Sequence, residues 1–144
     1  MADQTRGETV VNADLAAVAE VIADLSRYPE WTDGMGQPLV IDSDPAGRPL
    51  LAEFEVVAGP VKDRVRLAYT WQDSSVSWQL VSASALRALD GKYTWSASGS
   101  GVKVVYELQL DLSASLPGLV RKMAEKAIIT SALQGLKRQA EAMR

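Results

Sequence analysis

The residues best suited to chemistry in this chain are aromatic, and they follow an alternating pattern. Tyr69, Trp78, Tyr93, Trp95 and Tyr106 lie in runs where apolar and polar residues alternate, which predicts strands with the rings on one face. Tyrosine and tryptophan combine an apolar ring with a polar tip, so such a face suits contact with an apolar ligand. The alternative is that the rings only fill a core.

Histidine and cysteine do not occur anywhere in the 144 residues. A Ser-His-Asp relay and the common zinc and iron sites are therefore excluded, and no GxxxxGK[ST] or GxGxxG phosphate loop is present. We expect no metal and no cofactor. A cyclisation or dehydration that uses tyrosine, aspartate or arginine remains an alternative.

Asp63 is expected to lie on the same inward face of its strand as Val65 and Leu67, which is unusual for a carboxylate. It is either a buried acid or base, or a water-exposed residue near a hairpin end. Arg87 and Asp90 are two further candidates for the mouth of a cavity.

Three basic residues, Lys62, Arg64 and Arg66, alternate along one strand face and could form a phosphate-binding ridge. Pairing across the preceding turn places Glu55 opposite Arg64 and Glu53 opposite Arg66, which neutralises most of that charge. The net charge of −3 also lacks the basic excess of nucleic-acid proteins. We therefore expect a solvated outer face and no nucleic-acid partner.

The hydrophobic pattern predicts one short helical region followed by an antiparallel meander. A two-residue type II′ turn at Gly59-Pro60 sets Phe54 opposite Val65, and a second turn at 98–101 sets Tyr93 opposite Tyr106. The predicted elements are a strand at 7–11, a helix at 14–25, a helical turn at 30–33, strands at 39–42, 50–57, 61–71, 89–97 and 102–112, an intervening strand with Val76, Trp78 and Leu80 inward, and a helical region over the last thirty residues.

Two apolar stripes in the last thirty residues lie about half a turn apart. We therefore expect a kink or a break between Met123 and Ile129, or two different burial surfaces. The first stripe, in Leu116–Ala127, has a basic opposite face. It is either a lid packed on the sheet or a transient contact for a membrane or a protein partner.

Composition predicts one domain over residues 1–144, with an ordinary apolar content of 47%. No segment is long and apolar enough to span a bilayer, and the polar first residues do not resemble a secretory signal. Together with the absence of cysteine, these features predict a cytoplasmic protein.

Several stretches resemble the polyketide cyclase/dehydrase-like and lipid-transport family of the START/Bet v 1-like (SRPBCC) superfamily. They are the RYPEW run at 27–31, the strands at 90–95 and 104–108, and the final region at 116–127. The resemblance implies an α+β helix-grip fold. In that fold a curved antiparallel sheet of six to seven strands wraps around a long C-terminal helix, with one or two short helices after the first strand. It also implies a hydrophobic cavity between sheet and helix.

We expect the protein to bind or transport a small hydrophobic ligand, such as a lipid, an isoprenoid or a polyketide-like molecule. The alternative is a polyketide cyclase or dehydratase that works without metal or histidine. The residues predicted to contact the ligand are Phe54, Val65, Leu67, Tyr69, Trp78, Leu80, Tyr93, Trp95, Tyr106, Leu108, Leu119, Met123 and Ala127. Trp31 is expected to be structural, packing a short helical turn onto the domain.

Overall fold

The computed structural model describes residues 5–58, 61–112 and 117–143. The elements follow the predicted order, and their bounds differ from the sequence expectation by a few residues at most strand ends. They are β1 Thr5–Val11, α1 Leu15–Ala23, a 3₁₀ turn Leu25–Arg27, α2 Tyr28–Trp31, β2 Leu39–Ser43, β3 Pro49–Ala58, β4 Val61–Trp71, β5 Ser75–Ser82, β6 Leu86–Ser98, β7 Gly101–Leu112 and α3 Gly118–Ala142.

All strands form one antiparallel sheet in the order β1-β7-β6-β5-β4-β3-β2. Strands β2 to β7 are therefore a meander, and β1 adds to the far edge beside the last strand. The sheet curves around α3, which packs mainly on β1 and β7. This is the helix-grip fold, with the core between the concave face of the sheet and the helices.

Both predicted hairpin registers are confirmed. Phe54 lies opposite Val65 across β3 and β4, and Tyr93 lies opposite Tyr106 across β6 and β7. Alternation sets the register because a slip of one residue would turn every apolar side chain to solvent. Gly59 and Pro60, for which a type II′ turn is predicted, lie outside the described residues.

The basic ridge of β4 is an outer face, as predicted. Arg64 and Arg66 lie opposite Glu55 and Glu53, and both guanidinium groups pair with Glu53, at 2.8 and 3.1 Å. Glu55 lies opposite Arg64 but forms neither of these ion pairs. The charges on this face are largely matched, which agrees with a solvated surface.

The helical region between β1 and β2 begins with a capped helix. Asp14 precedes α1, and its carboxylate accepts a hydrogen bond from the Ala17 N–H at 2.8 Å. The helix ends at Ala23, two residues before the predicted end.

The next helical turn, α2, starts at Tyr28 rather than at Glu30 as predicted. Tyr28 is helical (φ −54°, ψ −40°) although it precedes proline, a position that is biased away from this conformation. Two contacts hold it there. Its hydroxyl donates to the Ile22 carbonyl at 2.5 Å, and its ring lies 4.6 Å from Trp31.

The expected break in the C-terminal helix is absent, because α3 is one continuous helix of 25 residues. Its buried face runs through Glu125, Ile129, Ala132, Leu136 and Ala140 at helical spacing. The first apolar stripe, with Leu119 and Met123, is exposed, and Glu125 is buried instead, so one continuous helix keeps one face on the sheet throughout.

Glu125 is completely buried, and its carboxylate bonds to two strands. It accepts hydrogen bonds from the Thr5 hydroxyl at 2.5 Å and from the Leu110 N–H at 2.8 Å. Because Thr5 is in β1 and Leu110 in β7, this single side chain ties the first half of α3 to the sheet.

Trp31 is buried and lies where α2 meets α3, which fits the structural role predicted for it. A β-carbon at Gly135 of α3 would overlap the Trp31 carbonyl oxygen. Glycine is therefore needed at position 135 for the backbones of the two helices to approach this closely.

Candidate ligand cavity

A cavity of about 100 Å³ lies between the concave face of the sheet and α3. Every strand from β3 to β7 contributes to its wall, and Ile128 and Ala132 of α3 close the opposite side. The residues from the sheet that form most of the wall are Phe54, Leu67, Tyr69, Trp78, Tyr93 and Tyr106.

The mouth of the cavity is marked by the lining residues that are exposed to solvent. These are Asp33 and Gly34, which follow α2, and Val57 near the end of β3, which is 46% exposed. The Val57 N–H donates to the Gly34 carbonyl at 2.7 Å, so the two sides of this rim are joined.

Six of the residues predicted from the sequence line the cavity, and they are the six wall residues given above. Val65, Trp95 and Leu108 point inwards and are buried, but they lie outside the lining. The alternation of apolar and polar residues predicts which face of a strand a side chain lies on, but not which part of that strand borders the cavity. Helix α1 also packs on β6 and β7. Leu80 is half-buried and also lies outside the lining.

The three predicted residues of α3 lie on its solvent side. Leu119 is 74% exposed and Met123 is 63% exposed, and Ala127 is exposed as well. The expected lid stripe therefore faces away from the cavity. The inward positions are taken by Glu125 and, further along, by Ile128 and Ala132.

The sequence reasoning missed the mouth, which includes residues 32–35. This segment has no hydrophobic period, and it reaches the sheet through an isolated bridge between Met35 and Val56. The available signal was the RYPEW run just before it, because Tyr28 also lines the cavity. Leu110 and Ile128 were missed as well.

Trp78 is the centre of a cluster of rings in the cavity wall. The centroid of its ring lies 6.1 Å from the ring centroid of Tyr69, 5.4 Å from that of Tyr93 and 5.8 Å from that of Tyr106. Gly91 is its partner on β6, where a β-carbon would lie 2.7 Å from the indole Cε2. The absence of a side chain at Gly91 thus lets the indole lie flat on the sheet and leaves the cavity open.

Burial raises the pKa of Tyr69, Tyr93 and Tyr106 above the ordinary value of 10.0. For Tyr69 and Tyr93, repulsion from neighbouring tyrosines adds to this effect. The pKa of Tyr28 is raised in the same way. All of these hydroxyls are therefore protonated at neutral pH, and each can donate a hydrogen bond; that of Tyr28 already donates to the Ile22 carbonyl.

Asp63 is buried, not exposed at the hairpin end. Its carboxylate accepts hydrogen bonds from the backbone N–H groups of Ser84, Ala85 and Leu86 at 2.7 to 3.1 Å. Burial alone would raise its pKa, but these donors outweigh that effect and hold the pKa below its ordinary value. Asp63 thus fixes the β5–β6 connection and does not line the cavity.

Arg87 and Asp90 also lie outside the cavity lining. The Asp90 carboxylate accepts from the Leu80 N–H at 2.9 Å, which is a structural contact within the sheet. Among the lining residues that the structure describes, Asp33 at the rim carries the one carboxylate.

Within residues 5–58, 61–112 and 117–143, no three acidic side chains are grouped so that they could hold a metal ion. No helix in the same part of the chain is long and apolar enough to cross a membrane.

Comparison with known proteins agrees with this architecture. A family model described as polyketide cyclase / dehydrase and lipid transport matches residues 3–141. A START superfamily protein from Mycobacterium smegmatis has a TM-score of 0.89 at 13% identity, over 99% of each chain. A protein from Thermus thermophilus has a TM-score of 0.82 at 22% identity, over 97% of this chain and 98% of that one.

The Zhui aromatase/cyclase from Streptomyces sp. R1128 has a TM-score of 0.78 at 10% identity, over 100% of this chain and 97% of its own. No curated protein matches the chain significantly. At these identities the structural similarities establish the fold alone.

Proposed function

Because the chain belongs to the polyketide cyclase/dehydrase and lipid transport family, we propose that it binds a small hydrophobic molecule in the cavity between sheet and α3. The observation that carries this proposal is the cavity itself. Its wall is formed mostly by apolar and aromatic side chains, and its rim is open to solvent at Asp33, Gly34 and Val57. Such a site has the composition that is usual for small-molecule pockets.

The driving force for binding would be burial of the ligand's apolar surface. Removing roughly 200 Å² of that surface from water contributes about 5 kcal/mol, before the cost of association is subtracted. This corresponds to a modest affinity unless a polar contact adds to it. The tyrosine hydroxyls in the wall are the groups placed to supply one.

The size of the cavity favours a compact ligand. Its volume of about 100 Å³ is below the roughly 300–1,000 Å³ of pockets that hold drug-sized molecules. A molecule with one aromatic ring fits this scale. A long-chain lipid would require the rim at residues 32–35 or α3 to move.

The alternative function is turnover of the bound molecule, as a cyclase or dehydratase. A general base must be deprotonated at the working pH and must reach the substrate. The tyrosines in the wall are held protonated by their raised pKa, and the Asp63 carboxylate is occupied by backbone donors. Asp33 lies only at the rim. For this reason we favour binding over turnover. A cytoplasmic location remains a prediction from the sequence.

The test is calorimetric titration with ethylbenzene, a compact apolar probe. We expect the natural chain to bind it, and we expect Ala132→Phe to abolish binding because the added ring would occupy the cavity. The matched control is Ala142→Phe, which adds the same ring at an exposed position of α3 and should bind normally.

Ile128→Trp repeats the test at a half-buried lining position where a larger side chain causes less strain. Each variant is checked for a cooperative thermal unfolding transition. Unchanged ethylbenzene binding in both folded blocking variants, or no binding by the natural chain, would contradict the proposal. Mass spectrometry of small molecules that co-purify with the protein from its own host would then identify the ligand.

A further inference from the structure

Three tyrosine hydroxyls in the cavity wall have no hydrogen-bond partner within residues 5–58, 61–112 and 117–143. Among the described residues, none donates to or accepts from the hydroxyls of Tyr69, Tyr93 and Tyr106. The hydroxyl of Tyr28, which also lines the cavity, differs because it donates to the Ile22 carbonyl.

The three hydroxyls are not sealed inside the protein. The described side-chain atoms that are both inaccessible and unpartnered are Trp31 Nε1, Arg66 Nε and Arg121 Nε. Since no tyrosine hydroxyl belongs to this group, each of the three hydroxyl oxygens has accessible surface, and all three residues line the cavity. A polar group in a cavity wall that has no protein partner bonds to the water or the ligand that occupies the cavity, so a ligand that displaces the water should replace these hydrogen bonds.

The positions of the rings place two of the hydroxyl groups on one part of the wall. Tyr93 and Tyr106 are directly opposite each other on β6 and β7, with ring centroids 4.5 Å apart, and the raised pKa of each keeps its hydroxyl protonated. Both can therefore donate a hydrogen bond to one oxygen of a ligand.

The charge of the cavity selects against an anion. No lysine or arginine is among the lining residues that the structure describes, and the one carboxylate, Asp33, lies at the rim. A carboxylate ligand would lose its hydration without gaining a counter-charge, and Asp33 would repel it. A neutral oxygen loses much less hydration.

We propose that the ligand is an uncharged hydrophobic molecule with an oxygen that accepts hydrogen bonds, such as a ketone, and that Tyr93 and Tyr106 bind this oxygen. This inference rests on the proposed function, since it names the class of molecule that the same cavity takes. It predicts discrimination between molecules of equal shape that differ only in polarity.

The experiment compares three probes of similar size, ethylbenzene, acetophenone and benzoate, by calorimetric titration at pH 7. We expect acetophenone to bind at least about tenfold more tightly than benzoate. Tyr93→Phe and Tyr106→Phe should each weaken acetophenone binding by roughly threefold to tenfold, because one neutral hydrogen bond is lost. Because each variant keeps its ring and loses only the hydroxyl, the ratio of acetophenone affinity to ethylbenzene affinity should fall by the same factor, and retained ethylbenzene binding shows that the variant folds and keeps the cavity.

The proposal would be overturned if acetophenone binding were unchanged in both variants, or if benzoate bound as tightly as acetophenone. If ethylbenzene still bound, the proposed hydrophobic site would stand. Failure of all three probes to bind the natural chain would overturn the proposed function as well. If a single variant unfolds, the other tests the same oxygen contact.

Discussion

Asp63 and Tyr93 are both buried polar residues, but only the carboxylate has protein groups to bond with. Four backbone N–H groups, those of residues 64, 84, 85 and 86, satisfy Asp63, and its role is to fix a connection between strands. The hydroxyl of Tyr93 has no such partner among the described residues. At the scale of single residues, the bonding of the polar atom therefore separates structural groups from candidate ligand contacts.

The tyrosines of the wall should make folding stability sensitive to alkaline pH. Their pKa is raised in the folded state, so the folded protein holds protons that the unfolded chain releases above about pH 10. Stability is therefore full below pH 10 and falls as the pH rises further. At pH 11 the loss is on the order of 1 kcal/mol for each such tyrosine.

Urea unfolding between pH 8 and pH 11 measures this effect. Tyr93→Phe should reduce the slope of unfolding free energy against pH above pH 10. A slope equal to that of the natural chain would show that Tyr93 ionises as freely in the folded state as in the unfolded one.

At the scale of elements, α3 is attached unevenly along its length. Before Ile129, the buried residue of this helix is Glu125, whereas the second half buries five further residues after Ile129. Local opening concentrates where buried contacts are few. We therefore expect the first half of α3, which reaches the cavity through Ile128, to open more readily than the second half.

Hydrogen exchange should be faster at residues 119–124 than at residues 133–140, and bound ethylbenzene should slow it in the first segment. Glu125→Ala should increase the difference in exchange rate between the two segments. It should also lower the unfolding free energy by about 2 kcal/mol, because the Leu110 N–H is left unpaired. Gln134→Ala, at an exposed position of the same helix, is the control and should change neither. Equal, ligand-independent exchange along α3 would mean that the wall is static.

The sequence predicted the sheet well and the first half of α3 poorly. Strand faces and hairpin registers follow from alternation, which acts between residues close in the chain, such as Phe54 and Val65. The orientation of Glu125 depends on Thr5, 120 residues away, and no local pattern contains that contact. The mouth at residues 32–35 was missed for a related reason, since it is aperiodic and is held by β3.

At the scale of the whole molecule, the outer side of the first half of α3 differs from the rest of the surface. Leu119 and Met123 are exposed there, and Arg121, Lys122 and Lys126 lie in the same segment while its one acid, Glu125, is buried. The chain as a whole has a net charge of −3. Contact of this segment with a membrane or a partner stays a prediction, and an anionic surface suits its charge and exposed apolar groups.

Co-sedimentation with phosphatidylglycerol vesicles at low ionic strength tests this prediction. We expect binding that weakens with salt and that falls severalfold in the double variant Leu119→Ser, Met123→Ser. The control, Leu39→Ser with Ile41→Ser, removes exposed apolar groups from β2 and should not reduce it. Equal binding by both double variants would assign the contact to another surface.

The pairing of β1 with β7 bears on how the protein is made. Each residue of β1 meets a partner that is translated about 90 to 100 residues later. At about 5–20 residues per second, the first strand must wait roughly 5 to 20 seconds on the ribosome before its neighbour emerges. Thr5 and Glu125 are separated still further in synthesis. The nascent chain therefore cannot complete the sheet until β7 has emerged, or attach α3 to β1 until Glu125 has emerged. During that interval an unpaired strand is exposed to chaperones and to other nascent chains.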